Sequence, residues 1–158
     1  MKKILSLVLA LCLCLSLGVT AFAATVTEES AAQSANTTVT YGVEAGYTVT
    51  IPETVALNNE GKGQATVSAA DVLLLAGKTL KVTVTGVDEL VNTADSATTL
   101  SYKIGKTEGA ADVVDGTVVL SVAAGNATGS QKLFFELTED PTAAGTYSDT
   151  LTFTVTVE

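Results

Sequence analysis

The sequence predicts an all-β protein, a single Ig-like antiparallel β-sandwich of about seven to eight strands. Apolar residues alternate with threonines and other polar residues in run after run, and this period of two is typical of strands with one buried face. Glycine, asparagine and aspartate separate the runs at the short spacings found in sandwiches and small barrels. The frequent threonines are β-branched and polar, which suits the solvent face of a strand.

Eight runs carry the alternation, and in chain order they cover residues 38–43, 47–51, 64–68, 79–85, 99–104, 117–122, 132–137 and 150–157. Pro52 ends the second run, because proline cannot donate to a strand ladder. In the sixth run, Val118 is expected to face the core and Val119 the solvent. The last run has the cleanest alternation, which predicts that Phe153 is a core residue in mid-strand. Residues 69–76 break the pattern and are read either as a helical turn or as a tight apolar crossover between sheets.

Tyr147 stands just before the last run, in the sequence Gly145-Thr146-Tyr147. A tyrosine at such a corner can fold its ring over the edge of a sandwich and donate a hydrogen bond to a nearby backbone carbonyl. Tyr147 is therefore predicted to have a structural role.

The first 23 residues have the organisation of a secretory signal peptide. Lys2 and Lys3 precede an apolar run over 4–17, and Ala21-Phe22-Ala23 offers small residues where a signal peptidase reads them. Cleavage is expected between Ala23 and Ala24. The apolar run is too short for a membrane-spanning helix, which needs about 20 residues. We therefore expect an exported protein with no membrane association after signal removal, a flexible N-terminal segment over 24–37 and a sandwich domain over 38–158.

Charge and composition exclude several kinds of function. Because Lys2 and Lys3 lie in the signal, its removal changes the formal net charge from −9 to −11, and the chain has no Arg and no His. Such a surface repels nucleic acid and cannot form bidentate arginine contacts to phosphate. Both cysteines, Cys12 and Cys14, also lie in the signal. With no thiol, no imidazole and no visible catalytic constellation, we expect no enzyme activity and no cofactor.

Two groups of loop carboxylates are the only candidates for a metal site, and they comprise Asp88, Glu89 and Asp95, and then Glu108, Asp112 and Asp115. Ca²⁺ takes six to eight oxygen ligands, which such loops can supply. Their spacing matches neither an EF-hand nor a repeated Ca²⁺ loop, so metal binding is left open. Phe134 alternates with the inward-facing Leu133 and Phe135, which places it either on an exposed partner surface or under local cover.

Four segments together resemble a known group of proteins: residues 46–52 (GYTVTIP), 70–72 (ADV), 76–82 (AGKTLKV) and 144–147 (AGTY) with the strand that follows. They look like small exported β-sandwich proteins of Gram-positive bacteria, the cell-surface and WxL-like proteins. The terminal strand is also similar to that of spore-coat-U-like and other fimbrial subunits. The resemblance implies a structural role at the cell surface and supplies no catalytic residue.

These observations favour a secreted structural or adhesive protein. The more specific hypothesis is that it is a subunit of a surface fibre. Its partners would be other copies of itself, joined by strand addition, or a glycan or protein of the cell surface. Residues 24–27 (ATVT) are the candidate for the added strand, because a detached strand can satisfy the free backbone groups of a sheet edge. The alternative is that they are a disordered leader left after signal cleavage. For the protein as a whole, the alternative is a non-catalytic module that binds carbohydrate or Ca²⁺.

Overall fold

The computed structural model describes residue 34 and residues 37–87 and 89–158. The chain divides into two units, residues 1–42 and 43–158. In the first unit, the described residues have no regular secondary structure. The expected signal peptide and the cleavage site at Ala23 and Ala24 lie outside the described residues. Within the described ranges, no helix is long and apolar enough to cross a membrane.

The second unit is an all-β sandwich, which confirms the predicted fold class. Its strands are β1 (Gly46–Thr50), β2 (Lys62–Leu73), β3 (Thr79–Thr85), β4 (Glu89–Asn92), β5 (Thr99–Gly105), β6 (Thr117–Ala123), β7 (Gly129–Leu137), β8 (Tyr147–Ser148) and β9 (Thr152–Val157). The described residues contain no helix. The described part of the chain thus forms nine strands, where the sequence predicted seven to eight.

Two antiparallel sheets enclose the core. The larger has the strand order β1-β2-β7-β5-β4-β8, and the smaller has the order β6-β3-β9. Fully buried side chains come from both: Val67, Ile104 and Leu133 from the larger sheet, and Leu80, Val82 and Val84 from β3. The alternation seen in the sequence therefore separates a buried apolar inner face from a mainly polar outer face in each sheet.

The first predicted strand, residues 38–43, is wrong. These residues pair with no described strand, and β1 begins only at Gly46. Alternating β-branched and aromatic residues satisfy the local preference for an extended chain. A strand also needs a neighbour for its backbone hydrogen bonds, which local sequence does not specify.

The expected helical turn or crossover over residues 69–76 is wrong for most of this segment. β2 continues through Leu73, so residues 69–73 are part of a strand. Asp71 has a φ of 53°, a left-handed conformation that aspartate adopts more readily than most residues. The β1–β2 register also shifts between Gly46 and Thr48, opposite this part of β2. The irregularity hides the period of two that a regular strand would have displayed.

A second bulge reverses two expected faces in β6. Val82 pairs with Leu120, but the next residue of β3, Thr83, pairs with Val118, so that Val119 is the extra residue. Val119 is therefore buried, while Val118 is 37% exposed. The expected inward Val118 and outward Val119 are both wrong, because one inserted residue moves its neighbours to opposite faces.

Candidate functional site

The outer side of β9 is the most distinctive feature of the sandwich. Six strands face only three, and β9 lies at the end of the smaller sheet. Among the described residues, β9 pairs with β3 and with no strand on its other side. The last strand of the sandwich therefore has an open edge.

The burial of side chains differs sharply between β3 and β9. Leu80, Val82 and Val84 of β3 are all fully buried. Their counterparts on the inner face of β9, Phe153 and Val155, are only partly buried. Val157, at the end of the strand, is 41% exposed. Inward-facing apolar side chains thus remain accessible because no strand covers them from the open side.

The hydrogen-bond pattern identifies the backbone groups that point to the open side. Thr79 and Glu158 exchange both N–H···O bonds, at 2.8 and 3.1 Å, so they form a hydrogen-bonded pair of the antiparallel ladder. Such pairs alternate with pairs that point their N–H and C=O groups away from each other. From the register, the residues whose groups point away from β3 are Phe153, Val155 and Val157.

A cleft of about 500 Å³ lies beside this edge. One wall is the segment 51–57, which follows β1, and Leu151 and Phe153 also line the cleft. Ala65, Tyr102 and Phe135 line it from the larger sheet. The cleft is therefore mainly apolar and reaches β9 at Phe153.

Gly63 allows the wall segment to lie close to β2. A Cβ atom at this position would stand 2.8 Å from Leu57 Cδ2 and 3.0 Å from the Ala56 carbonyl oxygen. Any larger residue would push the segment away from the sheet. The absence of a side chain at Gly63 therefore fixes the position of one wall of the cleft.

A few polar groups also line the cleft. The Tyr102 hydroxyl donates a hydrogen bond to Asp149 Oδ2 at 2.5 Å, and Asp149 Oδ1 accepts one from the Thr150 N–H at 2.6 Å. Glu53 lines the cleft too. Apart from the tyrosine hydroxyls, the ionisable groups of the lining are the carboxylates of Glu53 and Asp149, so the site is mainly apolar with two acidic side chains.

Tyr147 is placed in β8, where it pairs with Asn92 of β4. Its hydroxyl donates a hydrogen bond to the Ala143 carbonyl, four residues upstream, at 2.8 Å, and its side chain also lines the cleft. The bond ties the loop before β8 to the strand. Phe153, the other residue predicted as structural, lines the cleft as well.

The loop carboxylates are not gathered into one site in the described part of the chain. There, no three potential metal-ligating side chains come close enough to hold a metal ion. Asp112 accepts a hydrogen bond from the Lys106 N–H at 2.8 Å, and Asp115 accepts one from the Gly86 N–H at 2.5 Å. Asp95 bonds the Thr98 hydroxyl and the Ala97 N–H, which lower its pKa. Asp88 lies outside the described residues.

The outer face of the larger sheet carries an ion-pair group centred on Glu136 of β7. Its carboxylate lies 2.9 Å from Lys103 Nζ of β5 and 3.6 Å from Lys62 Nζ of β2. The hydrogen bond from Lys103 is the main cause of a lowered Glu136 pKa, and Lys62 adds to it. Nearby, Phe134 is partly buried and has Lys132 Nζ 5.9 Å from its ring centroid, within the range of a cation–π contact.

Sequence patterns could not identify this site, because it depends on which strand has no neighbour. The last strand shows the same alternation whether it lies at the centre or at the edge of a sheet. The wall segment 51–57 has no period of its own. Of the loop carboxylates considered as a metal site, Asp95, Asp112 and Asp115 accept hydrogen bonds from backbone N–H groups.

Comparison with known proteins gives a likeness at the level of fold. No family model matches the chain, and no curated protein matches it. A similar solved chain belongs to the CsuC–CsuE chaperone–tip adhesion subunit pre-assembly complex from the archaic chaperone–usher Csu pili of Acinetobacter baumannii. It is 14% identical, with a TM-score of 0.52, and the alignment covers 72% of this chain.

The alignment spans only 40% of the length of that solved chain. A chain from a chaperone–tip adhesin complex of CFA/I fimbriae biogenesis is 16% identical, with a TM-score of 0.40, over 68% of this chain and 42% of the other. At 14% identity the likeness to the chain of the Csu complex is one of fold, and it agrees with the resemblance to fimbrial subunits. Nothing in the comparisons supports the resemblance to WxL-like proteins, and the chain contains no Trp.

Proposed function

We propose that this protein is an exported, non-enzymatic cell-surface protein with a structural or adhesive role, and that it is a subunit of a fibre assembled by strand addition. The open edge of β9, together with the apolar cleft beside it, is the observation that carries the proposal. A strand from a second copy is the proposed occupant of the cleft.

Strand addition would pair the free backbone groups of β9 and also cover the accessible apolar surface beside it. The added strand would form backbone hydrogen bonds with Phe153, Val155 and Val157, whose N–H and C=O groups point away from β3. An inward-facing apolar side chain of the added strand beside Phe153 would enter the cleft that this residue lines together with segment 51–57. Main-chain bonds then give affinity, while the alternate side chains give specificity.

The fold likeness to a chain of a pilus pre-assembly complex agrees with this proposal. The composition of the chain agrees with it too, since the residues after the expected signal include no Cys, His, Arg or Trp. An open, weakly charged sheet edge is otherwise a liability for a protein outside the cell, because it promotes uncontrolled association. A specific occupant removes that liability.

The proposal is tested by the assembly state of the purified secreted protein. Size-exclusion chromatography with light scattering, followed by negative-stain microscopy at high concentration, should reveal a ladder of oligomers and short fibres. A protein that stays monomeric under these conditions would overturn the fibre hypothesis. If that monomer binds glycans on an array, with or without Ca²⁺, the alternative of a ligand-binding module is favoured.

A further inference from the structure

Three large side chains close to the start of the sandwich are exposed to an unusual degree. Val39 is 89% exposed, Tyr41 is 91% exposed and Val43 is 57% exposed. They occupy every second position of a stretch that pairs with no described strand. Single exposed apolar residues are common, but three at a spacing of two give an extended chain one apolar edge.

This stretch has the periodicity and length that the β9 cleft requires. Neighbouring strands match their side chains at the same spacing of two, so one apolar residue of the added strand lies near each inward-facing position of β9. Residues 39–43 extended would cover roughly 16 Å. Since β9 has six residues, the stretch is long enough to pair with most of that strand.

The number of apolar side chains also favours this stretch. Residues 38–43 carry three large ones, Val39, Tyr41 and Val43, which suit a mainly apolar cleft. The other candidate, residues 24–27, has Val26 as its single large apolar residue, so it could place only one such side chain in the cleft.

We propose that residues 38–43 of one copy form the strand that occupies the β9 cleft of a second copy, with Tyr41 as the central side chain in the cleft. This inference rests on the proposed function and names the donor for it. Val39 and Val43 would then lie on either side of Tyr41, and Thr38, Thr40 and Gly42 would face the solvent. The added strand would extend the threonine-rich outer face of β9.

A matched pair of variants in the full secreted chain tests the proposal. Tyr41→Asp would place a charge in the apolar cleft, which is costly without a partner, so we expect the fraction of protein in oligomers to fall at least about tenfold. Thr40→Asp adds the same charge one residue away, on the solvent side of the donor, and should leave the ladder intact. Both residues are exposed, so neither change should alter the melting of the sandwich.

Addition of synthetic peptides to the Tyr41→Asp protein, whose own donor is disabled, provides the second arm. A peptide of residues 37–45 should raise its melting temperature in a dose-dependent way, and the same peptide with Tyr41→Asp should not. An assembling wild type whose ladder survives Tyr41→Asp would overturn this inference and leave the fibre proposal standing, with stabilisation by a peptide of residues 24–36 pointing to the earlier segment. A wild type that never assembles would overturn both.

Discussion

Val84 and Phe153 lie directly opposite each other in the ladder between β3 and β9, yet Val84 is fully buried and Phe153 is partly exposed. The two side chains face the same side of the smaller sheet, because directly opposed residues share a face. Their different exposure arises from position: β3 has a neighbour on both sides, and β9 has one. The contrast identifies the open side of the sandwich as the place where apolar surface remains available.

This relationship predicts unequal costs for two phenylalanine truncations. Phe135 of β7 is only 6% exposed, so Phe135→Ala should lower the free energy of unfolding by about 3–5 kcal/mol. Phe153→Ala removes a side chain that is already partly in solvent, and should cost about half as much in the monomer. Urea melts of the monomeric protein measure both values.

Thr152→Ala is the control for this pair, because Thr152 neighbours Phe153 but faces the solvent. It should cost less than about 1 kcal/mol. Equal losses for Phe153→Ala and Phe135→Ala would mean that the β9 side of the sandwich is as well covered as its centre, in contradiction to the open edge.

Two neighbouring proline substitutions separate pairing within the sheet from pairing across its open edge. The register places the N–H of Thr156 toward Lys81 of β3 and the N–H of Val157 toward the open side. Thr156→Pro should therefore lower the stability of the monomer by removing a ladder bond. Val157→Pro should largely spare the monomer, since proline is tolerated where an edge N–H faces outward, but should weaken assembly.

Thermal melts measure the stability of the monomer, and the distribution of oligomers on size-exclusion chromatography measures assembly. If Val157→Pro destabilises the monomer as much as Thr156→Pro does, the deduced direction of the outward-pointing groups is wrong. If Val157→Pro leaves assembly unchanged, added strands do not bond to this end of β9.

Period-two alternation was sufficient to predict the fold class and most strands. The clearest case is β3, whose bounds of Thr79–Thr85 agree with the predicted run, because a central strand with one buried face shows the full alternation. The bulges at Asp71 and Val119 were not predictable in this way. Each depends on pairing with another strand, and the inserted residue breaks the period on which the prediction relies.

The short strands and the open cleft could not be predicted either, because they too depend on how the strands are arranged. β4 and β8 have four and two residues, too few for a period to be recognised. β4 is defined by its pairing with β5 and β8, and β8 by its pairing with β4. The cleft depends on which strand ends a sheet, a property of topology. Residues 38–43 illustrate the converse, since a strand-like sequence has no strand partner among the described residues.

Export predicts a defined N-terminus for the protein in the culture medium. The small residues at Ala21 and Ala23 predict cleavage before Ala24. The intact mass of the secreted protein should correspond to residues 24–158, and thiol reagents should not add to it, because both cysteines lie before the cleavage site. A secreted species that retains residues 1–23 would contradict the assignment of the signal peptide.

Glu136 predicts part of the acid sensitivity of the fold. Its pKa is lowered from the ordinary value of 4.5, mainly by the hydrogen bond from Lys103, so ionised Glu136 favours the folded chain. This stabilisation is complete above about pH 4.5 and is lost as the pH falls through the lower folded value. Glu136→Gln should therefore melt at a lower temperature than wild type at pH 7, and the difference should disappear in strong acid. The difference in melting temperature should also shrink in high salt, because the ion pairs are partly exposed.

Glu108→Gln is the matched control, since Glu108 makes no ion pair with any described residue. A difference for Glu136→Gln that stays constant from pH 7 to strong acid would show that packing, and not charge, accounts for its effect.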